Sequence, residues 1–137
     1  EISCSLVGSE MCIETDRNPS GGRAVPVIHT HGTADNVVYY NGDANHPDGG
    51  YGSIPDYVKK WAAFDGCNMT PEVIKPYPSD KPNSVADYTR YTGGKDGVEV
   101  VLISIEGKGH WHSNDPASVM TTEEIWNFCK RYSLGEK

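Results

Sequence analysis

The stretch VEVVLISIE, Val98 to Glu106, is apolar on both faces of any strand it forms. A strand of that kind is covered on both sides of its sheet, so the chain must supply covering layers as well as strands. A second short run, Val25, Val27 and Ile28 in AVPVIHTHG, ends in a glycine and reads as another buried strand closed by a tight turn. Between and beyond them lie two helix patterns. In SIPDYVKKWAAFDG, Ser53 and Asp56 have capping-box spacing and Pro55 sits in the first turn, where its missing N–H costs nothing. Ile54, Val58, Trp61 and Ala62 share one face of that helix, and Gly66 stands where it should stop. In TEEIWNFCKRYS, Thr121 and Glu124 make a second capping box, with Lys130 and Arg131 in the last turn and Gly135 beyond. Glu72 to Lys75 and Ser84 to Tyr91 are further strand candidates, separated by Pro76, Pro78, Asp80 and Pro82. Strands alternating with helices predict an α/β sheet.

At 137 residues the chain makes one domain at most. Twelve Lys and Arg against nineteen Asp and Glu give a net charge of −7, which repels phosphate backbones and anionic lipid, so neither a nucleic acid nor a membrane is an expected partner. No apolar run approaches the length of a bilayer span, and EISCSLVGSEMC has neither the basic segment nor the long apolar segment of a signal peptide. Cys4, Cys12, Cys67 and Cys129 are too irregularly spaced for a zinc ribbon and leave room for one or two disulfides. Asn68-Met69-Thr70 is a glycosylation sequon. Residues 1–24 show no sustained period and read as an irregular lead-in, and residues 36–52 as a long surface loop. In that loop Asn41, Asp43, Asn45 and Asp48 alternate oxygen donors as calcium loops do, but without the required glycine and distal glutamate, so a plain polar loop is the expectation.

The chemistry-bearing residues fall at two strand ends. HGTAD places Asp35 four residues after His31, just past the first buried strand, and GKGH places His110 four residues past the last. Ligands of open α/β sheets bind at the carboxyl ends of strands. A carboxylate there can hold an imidazole by one ring nitrogen while the other moves a proton, the acid-and-base part of a Ser-His-Asp triad. His31 itself reads as a structural hydrogen-bonding residue of the turn. A competing reading uses the His-x-His pairs His29/His31 and His110/His112, with Asp35, as zinc ligands; the triad reading needs no metal or cofactor. A third treats the chain as a non-catalytic carbohydrate-binding or assembly module.

VPVIHTHGTADNVVYYNG, WAAFDGC, TRYTGGKDGVEVVLISIEGKGHWHS and EEIWNFCKRY, in that order, resemble the C-terminal half of the feruloyl esterase, acetylxylan esterase and poly(3-hydroxybutyrate) depolymerase-like group of α/β-hydrolases, over roughly residues 24 to 133. The resemblance implies the C-terminal part of an α/β-hydrolase sheet, mostly parallel strands flanked by helices, incomplete as a single chain. Residues 25–133 would form that portion and 134–137 a tail. It implies Asp35 as triad acid and His110, rather than His112, as base. Trp111, Tyr39 and Tyr40 are candidates for contact with an aromatic acyl group or sugar ring, and Tyr51 belongs to the same tyrosine-rich loop. The implied substrate is an ester, including esters of plant cell-wall polysaccharide, and the implied location extracellular or periplasmic.

Three departures stand out. Trp111 directly follows His110, where the family has a tryptophan two residues on. Glycine occupies position 94, near which many relatives carry the cysteine that pairs with the counterpart of Cys67, so Cys67 is expected free or differently bonded. Finally, none of the serines has glycines two residues away on both sides, the strained elbow that exposes a nucleophile. The expectation is therefore a nucleophile outside this chain, with the strand Val25 to Thr30 exposing an unpaired edge that a complementary N-terminal half or a second copy covers.

Overall fold

The doubly apolar stretch becomes an inner strand of a mixed sheet. The computed structural model describes residues 5–7, 24–47, 49, 50, 52–109 and 114–131, the first three as backbone only. In chain order the elements are β1 (Ser5–Val7), β2 (Val27–Gly32), α1 (Ile54–Phe64), β3 (Glu72–Ile74), β4 (Ala86–Tyr91), β5 (Val100–Ile105) and α2 (Thr121–Cys129), with one 3-10 turn at Lys95–Gly97. The five strands lie in the order β1-β2-β5-β4-β3. β1 with β2 and β2 with β5 pair parallel, whereas β5 with β4 and β4 with β3 pair antiparallel.

The expected mostly parallel sheet is thus corrected to one divided evenly between the two pairings. The reason is the length of the connections. Parallel neighbours need a crossover of a dozen or more residues, and α1 lies in the long path from β2 to β5. No helix longer than the single 3-10 turn separates β3 from β4 or β4 from β5, so those strands can only fold back on themselves. The expected open edge on β2 is also corrected: β1 pairs there, Ser5 with Val27, Leu6 with Ile28 and Val7 with His29.

Alternation sorts β2 and β5 onto two faces. Val27, Val100 and Leu102 pack with Ile54, Tyr57, Val58 and Ala62 of α1 on one, and Ile28, Val101, Ile103 and Ile105 pack with Val119 and with Phe128 of α2 on the other. Every β5 residue but Ser104 is buried, as a strand covered on both sides requires. α1 begins as its sequence predicts: Ser53 Oγ accepts the Asp56 N–H at 3.3 Å. It ends at Gly66, whose φ of +75° continues the chain out of the helix. Tyr57, not Trp61, completes its fully buried stripe.

α2 departs from its expected capping box. Thr121 lies inside the helix and is buried, Met120 is the N-cap without a capping side chain, and the Glu124 carboxylate accepts the Tyr77 hydroxyl at 2.6 Å. Asn114 Oδ1 caps the first turn instead, accepting the Thr122 N–H at 3.2 Å. Cys129 at the helix end is disulfide-bonded, whereas Cys67 is free and buried. Among the described residues no helix is long and apolar enough to cross a membrane.

Candidate active site

β2 and β5 end together, Gly32 opposite Ile105, and the two turns that follow are clamped to each other. Thr33 N–H donates to Ile105 O at 3.0 Å, Ala34 N–H to Lys108 O at 2.9 Å, and Gly107 N–H to Thr33 Oγ1 at 2.9 Å. Gly32 is required by this approach. A Cβ there would run into the Lys108 carbonyl and lie 2.6 Å from Gly109 O.

Asp35 closes the first turn, its N–H donating to Gly32 O at 3.2 Å. The residue is 5% exposed, and its Oδ1 accepts the N–H groups of Val37 at 2.8 Å and Val38 at 2.9 Å. The carboxylate therefore does cap its own turn. Its Oδ2 lies 3.3 Å from His31 Nε2. His31 in turn places Nε2 2.8 Å from Val38 O and Nδ1 3.1 Å from His29 Nε2, the two rings stacked at 5.2 Å.

His110, Trp111, His112 and Ser113 lie outside the described residues, as do Asp48 and Tyr51. The backbone that leads to His110 is described as far as Gly109, whose carbonyl rests against Gly32, three residues before Asp35. Of the two loop tyrosines, Tyr39 is exposed, while Tyr40 is partly buried against the α1-side core, its hydroxyl 2.7 Å from Ser104 Oγ. Asp43 Oδ1 accepts the Asn45 N–H at 3.0 Å, a turn-forming bond.

His29 and His31 share a face, as alternation along the strand requires, but their nearest nitrogens face each other rather than a common point. Among the described residues no group of three or more His, Cys, Asp or Glu is arranged to hold a metal ion.

Sequence reasoning paired His29 with His31 only as zinc ligands and missed that the two rings bond each other; their two-residue spacing on a buried strand was the signal. It also missed Asp65. That carboxylate, at the end of α1, has no exposed surface; Oδ1 accepts the Val25 N–H at 2.9 Å, and Oδ2 is buried with no hydrogen-bond partner among the described residues. Burial pushes its pKa up to about 6, the Val25 bond and the Lys95 charge opposing. Burial, and then the charges of Asp65 and Glu99, likewise push the nearby Cys67 thiol up to about 11. A Cβ at Gly94 would stand 3.0 Å from Cys67 Sγ, but also 2.6 Å from Val98 O.

No protein-family model matches the chain. Two curated proteins resemble it. Feruloyl esterase B of Piromyces equi is 29% identical over 116 residues, which cover 82% of this chain and 19% of that protein. The bifunctional acetylxylan esterase/xylanase XynS20E of Neocallimastix patriciarum is 26% identical over 115 residues, covering 82% of this chain and 14% of that protein. The chain is thus a distant relative of fungal esterases and spans less than a fifth of their length.

Proposed function

We propose that this chain supplies the acid, Asp35, and the base, His110, of a Ser-His-Asp triad in an α/β-hydrolase acting on carboxylic esters of the feruloyl or acetyl-xylan type. The observation that carries the reading is the clamp between the two strand-end turns. It brings a buried, anchored carboxylate beside the backbone that enters GKGH. Esterase relatives support ester hydrolysis as the class of reaction.

In this mechanism Asp35 holds the imidazole of His110 in the orientation that lets its other nitrogen take the proton of a serine hydroxyl as the serine attacks the ester carbonyl. His110 then returns the proton to the departing alkoxide, and repeats the cycle with water to release the acid. The serine comes from outside these 137 residues, since no serine here has the elbow glycines. Trp111 and the exposed Tyr39 would contact an aromatic acyl group or sugar ring, with Tyr40, tied to Ser104, as rigid wall behind them. A polypeptide carrying the nucleophile, or a second copy, would join at the sheet edge beyond β1. A plant cell-wall polysaccharide ester as substrate fits an extracellular or periplasmic location.

The test is hydrolysis of an aryl ester and of a feruloylated or acetylated xylan by this chain together with the segment bearing the nucleophile. His110→Ala should lower turnover about 10⁴-fold, and His112→Ala about tenfold or less. The reverse ranking would refute the assignment.

A further inference from the structure

We infer that His31 is the positioning residue for the triad acid, and that His29 holds it in one tautomer. The inference rests on the reading of Asp35 proposed above and adds to it a second layer of residues deeper in the sheet.

The argument begins with a group that has no choice of role. The Val38 carbonyl can only accept a hydrogen bond, so His31 Nε2, 2.8 Å away, carries a proton. In the neutral ring Nδ1 is then the lone-pair nitrogen, and His29 Nε2, 3.1 Å from it, must donate. With both rings neutral, the two imidazoles are Nε2–H tautomers, and the bonds run one way, from His29 to His31 and on to Val38 O. The same His31 nitrogen lies 3.3 Å from Asp35 Oδ2, so its proton is shared between the carbonyl and the carboxylate.

Val38 closes the network. Its C=O accepts from His31 while its N–H donates to Asp35 Oδ1 at 2.9 Å, so His31, Val38 and Asp35 form a ring of bonds. One carboxylate oxygen is held by two backbone amides and the other by an imidazole. The group cannot turn about its Cβ–Cγ bond without breaking one of these. The site is buried, with side-chain exposures of 0% for His31 and 2% for Asp35, and Val38 and His29 have no exposed surface. Bonds in such surroundings are stronger and costlier to leave unmade than in water. His29 is fixed by packing edge-on to Tyr57 of α1 at 6.1 Å, and His31 sits 6.0 Å from Tyr40. Thus the helix that covers this face also sets the position of the acid.

Two measurements test the proposal. Long-range nitrogen–proton NMR of the 137-residue chain at pH 8 should show protonated Nε2 and unprotonated Nδ1 in both His29 and His31; an Nδ1–H tautomer at either overturns it. In the active assembly, His31→Leu should lower kcat about 100-fold with KM within about twofold, as expected for a misplaced catalytic group rather than a lost binding contact. His31→Gln, which can return an N–H toward Val38 O and Asp35, should recover to within about tenfold of the parent. Amide spectra establish that each variant is folded. If His31→Leu does not fold, His31→Gln and the tautomers decide. Wild-type kcat in folded His31→Leu, while Asp35→Asn is about 10⁴-fold down, overturns this inference alone. Wild-type kcat in Asp35→Asn overturns the proposed function instead, and leaves the tautomer result standing.

Discussion

Replacing Asp65 by asparagine should remove a pH dependence of stability that the fold itself creates. The carboxyl is fully buried at the end of α1, with one oxygen on the Val25 N–H and the other without a partner among the described residues, and burial moves its pKa from 3.8 to about 6. The native state then keeps a proton that the unfolded chain releases. Between pH 3.8 and about 6 stability therefore falls as pH rises; the cost is absent below that window and complete above it. A displacement of about two pKa units corresponds to about 3 kcal/mol, of which roughly 2.5 kcal/mol develops between pH 4 and pH 7.5. Asparagine keeps an acceptor for Val25, and the constant cost of placing an amide N–H₂ where Oδ2 lay cancels when one compares the two pH values. Relative to the parent, Asp65→Asn should thus gain about 2–3 kcal/mol on going from pH 4 to pH 7.5, a shift of roughly 1–2 M in relative urea midpoint. Urea melts followed by tryptophan fluorescence, at several pH values across that range, measure it. Parallel stability curves for the two proteins would show that the Asp65 carboxyl does not titrate differently in the folded chain, and the burial argument would fail.

Gly32→Ala should destabilise the chain by about 3 kcal/mol or more, because its methyl group would enter the space of the Lys108 and Gly109 carbonyls; a thermal melt unchanged from the parent would contradict the clamp between the two turns. Cys67, buried and with its thiol raised to about 11, should resist iodoacetamide at pH 8 in the native protein and react fully in urea, as peptide mass mapping will show; rapid native labelling would contradict the burial. Asn68 is exposed on a turn closed by its own Oδ1 and the Thr70 N–H at 3.0 Å, and its backbone bonds Thr92 at the sheet end remote from Asp35. Expressed through a eukaryotic secretory pathway, the chain should carry an N-glycan there, lost in Thr70→Ala and kept in Thr70→Ser; an unmodified intact mass would refute this.

Local chemistry alone determined α1: Ser53, Pro55, Asp56 and Gly66 act within a few residues of themselves, so the helix begins and ends as its sequence reads. It also determined that Val100–Ile105 is covered on both sides and that Asp35 ends a turn after a buried strand, because alternation and turn chemistry are short-range. Pairing direction was not legible in the strands themselves. It follows from the connections, and the missing crossovers after β3 and β4 turned an expected mostly parallel sheet into one divided between the two pairings. The second capping box failed for a related reason: Thr121 is buried in the core, and Glu124 accepts the hydroxyl of Tyr77, 47 residues away along the chain. Tertiary structure likewise decided that His29 and His31 bond each other, that Val38 joins His31 to Asp35, and that Asp65 loses its water. Each of these depends on which side chain meets which across the sheet or beneath the helix, and spacing along the chain cannot encode a meeting that only packing brings about.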